Sequence, residues 1–73
     1  MSPKLPGVSG GDVVKALVRV GFSQVSQRGS HAKLKADDGR TVIVPMHREL
    51  ARGTLGSILR QAGLSPAQFE ELL

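Results

Sequence analysis

The amino-acid sequence predicts an α+β fold in the order α-β-β-β-α-α, a three-stranded antiparallel sheet with helices on one face. Three observations carry this. Apolar residues recur at helical spacing from Val13 to Val18; the pattern turns strand-like after Phe22, with turn signals at Gly29-Ser30 and Asp38-Gly39; and two capped helical segments follow Thr54.

Met1 to Val8 carries two prolines and a glycine and reads as a lead-in segment. Ser9 is placed to cap a helix, with Asp12 reaching back and Val8 packing on Val13 as a staple. Val13, Val14, Leu17 and Val18 then lie on one side, Lys15 and Arg19 on the other, and Gly21 supplies a left-handed exit, giving a first helix over about residues 10–20. Strands are expected over 22–28, 31–36 and 41–45, because Gly-Ser and Asp-Gly are favoured hairpin loops and Thr41-Val42-Ile43-Val44 is a run of β-formers ended by Pro45. Met46 to Arg52 reads as a basic connector. Thr54 is then expected to cap a helix that places Leu55, Ile58, Leu59 and Ala62 on one face and ends at Gly63. Ser65, Pro66 and Gln68 start a last helix with a capping box, Leu64 stapled to Phe69, running on to Leu72 and Leu73.

Two-residue loops at Gly29-Ser30 and Asp38-Gly39 set the expected register. Val25, Leu34 and Ile43 form the core row, and the open face carries Gln24, Ser26, Arg28, His31, Lys33 and Lys35 together with Val42, Val44 and Met46. An apolar strip on an open face is expected to be a surface for a partner, or to lie under the last helix.

Composition bounds the function. Seventy-three residues make one domain, 1–73, and with 40% apolar and 22% charged residues it is globular rather than disordered. No Cys is present, which excludes disulfides, a thiolate nucleophile and zinc held by sulfur. No apolar run approaches a membrane span, and the start lacks the apolar stretch of a signal peptide, so a cytoplasmic protein is expected. From Val13 to Arg60 nine basic residues face three acidic ones, a local +6 within a chain of net charge +4. Such a basic body favours a polyanionic partner, nucleic acid ahead of membrane.

The chemistry narrows further. Two histidines without a carboxylate cluster argue against a catalytic metal site, so neither metal nor cofactor is expected. Gly10-Gly11 does not form a phosphate-binding loop pattern, and Ser30 and His31 point to opposite faces of a strand, which rules out a hydrolase dyad. What survives is histidine acid-base chemistry beside bound phosphate, since an ordinary imidazole exchanges its proton near pH ~6.5. His31 lies in the basic patch of Arg28, Lys33 and Lys35. These cations read either as a phosphate-holding surface or as a solvated strand face with His31 a bystander. Arg48 and Arg52 are placed to bring a phosphate to the free N–H groups of the second helix, or are simply connector residues. His47 reads as a structural hydrogen-bonder.

Gly29-Ser30-His31, then Asp38-Gly39-Arg40, Pro45-Met46-His47, Leu50, Gly53-Thr54-Leu55, Ile58-Leu59 and Gln61-Ala62-Gly63-Leu64-Ser65, resemble in their order the HicA family of toxin-antitoxin mRNA interferases. The likeness runs from Leu5-Pro6 to the last helix. It implies a fold like the double-stranded-RNA-binding domain with an additional C-terminal helix, and a ribonuclease that cleaves mRNA and arrests translation. It also implies a catalytic histidine at His31 and a HicB-like antitoxin that covers the active-site face, with oligomers expected only in the antitoxin's company. The lysine cluster that the RNA-binding domain carries at the start of its last helix is absent, since this chain has Thr54 to Ser57 there.

Two functions are therefore weighed. One is a metal-independent endoribonuclease in which His31 takes the proton of a ribose 2′-hydroxyl while Arg28, Lys33 and Lys35 hold the phosphate. The alternative is a non-catalytic RNA-binding module, or an inactive homologue that only binds a HicB-like antitoxin.

Overall fold

The computed structural model describes residues 7–73; the expectations for Met1 to Pro6, including the likeness at Leu5-Pro6, lie outside the described residues. The elements are α1 (Gly10–Arg19), β1 (Phe22–Arg28), β2 (His31–Ala36), β3 (Thr41–Pro45), α2 (Arg52–Ala62) and α3 (Pro66–Leu72), with sheet order β1-β2-β3, antiparallel throughout. This is the predicted α+β order.

Local chemistry starts the helices as expected in two of three cases. Ser9 Oγ accepts from the Asp12 N–H at 3.0 Å and the Asp12 carboxylate accepts from the Ser9 N–H at 3.1 Å, closing the capping box of α1. The Ser9 backbone N–H first, and its hydroxyl next, hold the Asp12 carboxyl below its ordinary pKa. Ser65 and Gln68 do the same for α3. For α2 the expectation fails. Its cap is Ala51, which offers no side-chain bond, and Thr54 lies inside the first turn. The start is set from outside the helix: Leu50 is buried and its N–H donates to the Val8 carbonyl at 2.8 Å, so the chain is anchored just upstream and turns helical at once. At its end Gly63 takes the expected left-handed conformation, φ 77°. The buried faces are Val13, Ala16 and Leu17 of α1, with Val14 partly covered and Val18 exposed, and Leu55, Ile58, Leu59 and Ala62 of α2.

The first hairpin turns at Gly29-Ser30 as predicted, with Gly29 at φ 55° in the position where such a loop demands glycine. Arg28 pairs with His31, Gln27 with Ala32 and Ser26 with Lys33. Val25 is then passed over in a bulge, and Gln24 pairs with Leu34 and Phe22 with Ala36. Strict alternation would put Phe22 on the face of Arg28. The extra residue reverses that, so Phe22 enters the core while Arg28 stays outside, and Val25, expected inside, is 54% exposed.

The second hairpin corrects the predicted register by one residue. Ala36 pairs with Arg40 through the bond from its N–H to the Arg40 carbonyl, and the Gly39 N–H donates to the Ala36 carbonyl at 3.0 Å. The loop is thus the three residues Asp37, Asp38 and Gly39, a type I turn followed by Gly39 in the left-handed bulge position at φ 94°. A two-residue Asp38-Gly39 loop of type I′ needs positive φ at Asp38 as well, and no described non-glycine residue has one. Because strand faces alternate, the one-residue change inverts β3. Val42 and Val44 are buried at 0% exposure and Met46 is packed partly against the core, so none of the three forms the expected open strip. Ile43, expected in the core, stands on the open face at 44% exposure.

Arg40 ties this turn to the helical layer. Its guanidinium pairs with Asp38 at 2.8 Å, lies 5.2 Å from the Phe22 ring centroid and donates to the Ala62 carbonyl at the electronegative end of α2. The Arg40 backbone N–H first, and its guanidinium next, hold the Asp38 carboxyl below its ordinary pKa.

Candidate functional site

Helices α1 and α2 pack on the face of the sheet that holds Phe22, Ala32, Leu34, Val42 and Val44, and α3 packs on α1 and α2, which leaves the other face open. Two adjacent rungs of that open face meet near the first hairpin. One runs Arg28, His31, Pro45 and the next runs Ser26, Lys33, Ile43, since Cα partners on neighbouring strands point the same way. Ser26, Arg28, His31, Lys33 and Ile43 line one depression. Lys35 extends the basic line along β2, opposite Ser23 and Thr41.

The turn that carries Arg28 and His31 is braced on both sides. Gln27 Nε2 donates to the Gly29 carbonyl and Gln24 Nε2 to Gln27 Oε1, each at 3.1 Å, while the Met46 N–H donates to the Ser30 carbonyl. Behind Met46, the Gly10 N–H donates to the His47 carbonyl at 2.9 Å. Hence the start of α1 holds the segment after β3, and that segment holds the hairpin. That contact uses the His47 backbone carbonyl, which any residue there supplies, and the exposed His47 side chain takes no part in it.

The depression has no acidic lining residue. Among the described residues the one ion pair is Arg40 with Asp38, at the opposite end of β2, so no carboxylate pairs with Arg28, Lys33 or Lys35. Those charges remain available to an anion, and His31, exposed at the start of β2, stands between Arg28 and Lys33. Of the residues singled out from sequence, then, the fold brings together Arg28, His31 and Lys33. Lys35 adjoins them. Arg48, in the connector, and Arg52, the first residue of α2, are exposed but outside the depression.

Ile43 is the lining residue that the sequence reading put on the wrong side. Asp37-Asp38 ahead of Gly39 admits a three-residue loop, a type I turn with Gly in the bulge after it, as readily as a two-residue one, so no local signal places Ile43. No three His, Asp or Glu side chains gather as a metal site would need among the described residues, and none of their helices is long and apolar enough to cross a membrane.

A comparison against known families places the chain. The family model for the HicA toxin of bacterial toxin-antitoxin matches residues 10–64, three-quarters of the chain. The protein is therefore of the toxin class of these two-component systems, whose members are paired with an antitoxin. It belongs to the HicA toxin family. No curated protein matches the chain.

Proposed function

We propose that this toxin is a metal-independent endoribonuclease that cleaves mRNA in the cytoplasm and so inhibits translation. The observation that carries the reading is His31 in one open depression with Arg28 and Lys33 and with no carboxylate among the lining residues. The likeness at Gly29-Ser30-His31 supports the same residue.

In the step proposed, neutral His31 accepts the proton of a ribose 2′-hydroxyl. The freed oxygen attacks the adjacent phosphorus, the bond to the 5′ oxygen breaks, and that oxygen takes a proton from water. The products are a 2′,3′-cyclic phosphate and a 5′-hydroxyl end. Arg28 and Lys33 hold the phosphate and offset the charge that grows on its oxygens, with Lys35 continuing the path along β2. Arg48 and Arg52 are assigned to the flanking backbone. A HicB-like antitoxin that covers this face blocks RNA by occupancy.

The test is labelled RNA incubated with purified protein in chelator, beside His31→Ala. The expected result is fragments ending in cyclic phosphate from the wild type and intact RNA from a folded His31→Ala protein, because an exposed strand residue leaves no cavity when truncated. A shifted but uncut band from the wild type would make the chain a binder only. Normal cleavage by His31→Ala would reject the histidine base.

A further inference from the structure

The proposed step gives no task to Ile43, although it lines the depression. Across the sheet the lining changes in character. Arg28 and Ser26 lie on β1, His31 and Lys33 on β2, and the aliphatic Ile43 on β3 as the direct partner of Lys33. A large β-branched residue 44% exposed in a depression otherwise lined by polar and cationic side chains is positioned to touch an apolar surface carried by an anion. A nucleotide has that combination: phosphate at one end, the flat face of a base at the other.

Resting on the ribonuclease reading, we infer that the depression takes a single unpaired nucleotide, with the base over Ile43, the ribose hydroxyl at His31 and the phosphate toward Arg28 and Lys33. Two consequences follow. In an A-form duplex the base faces are covered by stacking, so a base reaches Ile43 only when unpaired, and the substrate is single-stranded RNA. The base is also read weakly. Both phenylalanines of the chain, Phe22 and Phe69, are buried in the core, no Tyr or Trp exists, and among the described residues Ser26 is, besides His31 itself, the one uncharged polar side chain lining the depression. A platform that touches the face of a base, with few groups at its edge, accepts any of the four.

The experiment is cleavage kinetics on a short unpaired RNA, intact or with a ribo-abasic residue that keeps its 2′-hydroxyl at the nucleotide just 5′ of the cut. Ile43→Thr and Ile43→Tyr are compared with the wild type, and thermal melts confirm that each variant folds. Both replacements favour strands, so the edge strand is retained. Removing the base is expected to raise the wild-type KM about tenfold with kcat little changed, the scale of a lost apolar contact. Ile43→Thr should show a similar rise on intact RNA and no further rise on the abasic substrate, because the two changes remove one contact. Ile43→Tyr should lower KM on intact RNA, and annealing a complementary strand should protect the site. Wild-type KM in both variants, or equal cutting of duplex, would overturn the inference while leaving the ribonuclease reading in place. So would variants that lose only antitoxin affinity, since Ile43 would then be a protein contact. Uncut RNA with the wild type would overturn both.

Discussion

Two adjacent glycines at the start of α1 are expected to respond to the same substitution with opposite sign. A Cβ on Gly10 would run into the Pro45 carbonyl group and lie 2.8 Å from Met46 Cα, whereas on Gly11 its nearest neighbour is Ser9 Oγ at 3.7 Å, an ordinary contact. The atoms facing Gly10 are all backbone, so no side-chain rotation relieves the overlap and the helix must back away from the end of β3. Overpacking of this kind costs about 1–3 kcal/mol. Withdrawal of the helix also stretches the bond from the Gly10 N–H to the His47 carbonyl, worth about 0.5–1.5 kcal/mol. Gly10→Ala is thus expected to lose about 2–4 kcal/mol, which at ~4–8 °C per kcal/mol for a domain of this size lowers Tm on the order of 10–30 °C. Gly11→Ala removes backbone freedom from the unfolded chain without a clash and is expected to be neutral or stabilising by up to about 1 kcal/mol. Thermal melts and urea titrations of both variants check this. The consequence reaches the site, because Pro45 pairs with His31 and the Met46 N–H holds the Ser30 carbonyl. NMR of the folded fraction should show the His31 resonances shifted in Gly10→Ala and unmoved in Gly11→Ala. A Gly10→Ala protein that melts at or above the wild type would refute the close seating of α1 on the segment after β3.

The β3 register is tested by Val44→Asp against Ile43→Asp: an unpaired carboxylate at the fully buried position should abolish the cooperative melt, while the exposed one should change stability by no more than about 1 kcal/mol, and a normal melt for Val44→Asp would restore the alternative register. Asp12 and Asp38 both have depressed pKa values, so the stability they contribute is present above their unfolded value near 3.8 and is lost as pH falls through the lower folded values. Acid titration followed by circular dichroism should therefore show a shallower loss below that pH in the double Asn variant, and identical acid limbs would remove both carboxylates from the account. RNA binding should weaken with salt by about 0.7 in log-log slope per neutralised phosphate, and neutralising Arg28, Lys33 and Lys35 together should flatten the slope by about 2; an unchanged slope moves the phosphate path to Arg48 and Arg52.

Much of the site was legible because it depends on short-range chemistry. The Gly29-Ser30 loop alone places Arg28 opposite His31, and alternation along β2 alone puts Lys33 and Lys35 beside it, whatever the rest of the chain does. The same holds for Ser9 with Asp12 and Ser65 with Gln68, where acceptor and donor are three residues apart. These features are set within a few residues, and the fold retains them.

The tertiary structure decided what local pattern leaves degenerate. Asp37-Asp38-Gly39 permits a two-residue or a three-residue loop, and Thr41-Val42-Ile43-Val44 is β-branched at every position, so neither turn nor strand composition says which face of β3 is inside. Packing chooses: the three-residue loop buries two valines against α1 and α2 where the other would bury one isoleucine. Likewise the bulge at Val25 exists because it lets Phe22 enter the core without moving Arg28 from the side of His31. Gly10 carries no sign in its own neighbourhood of the strand end it must admit, since Pro45 lies far along the chain and meets it only once helix and sheet are packed.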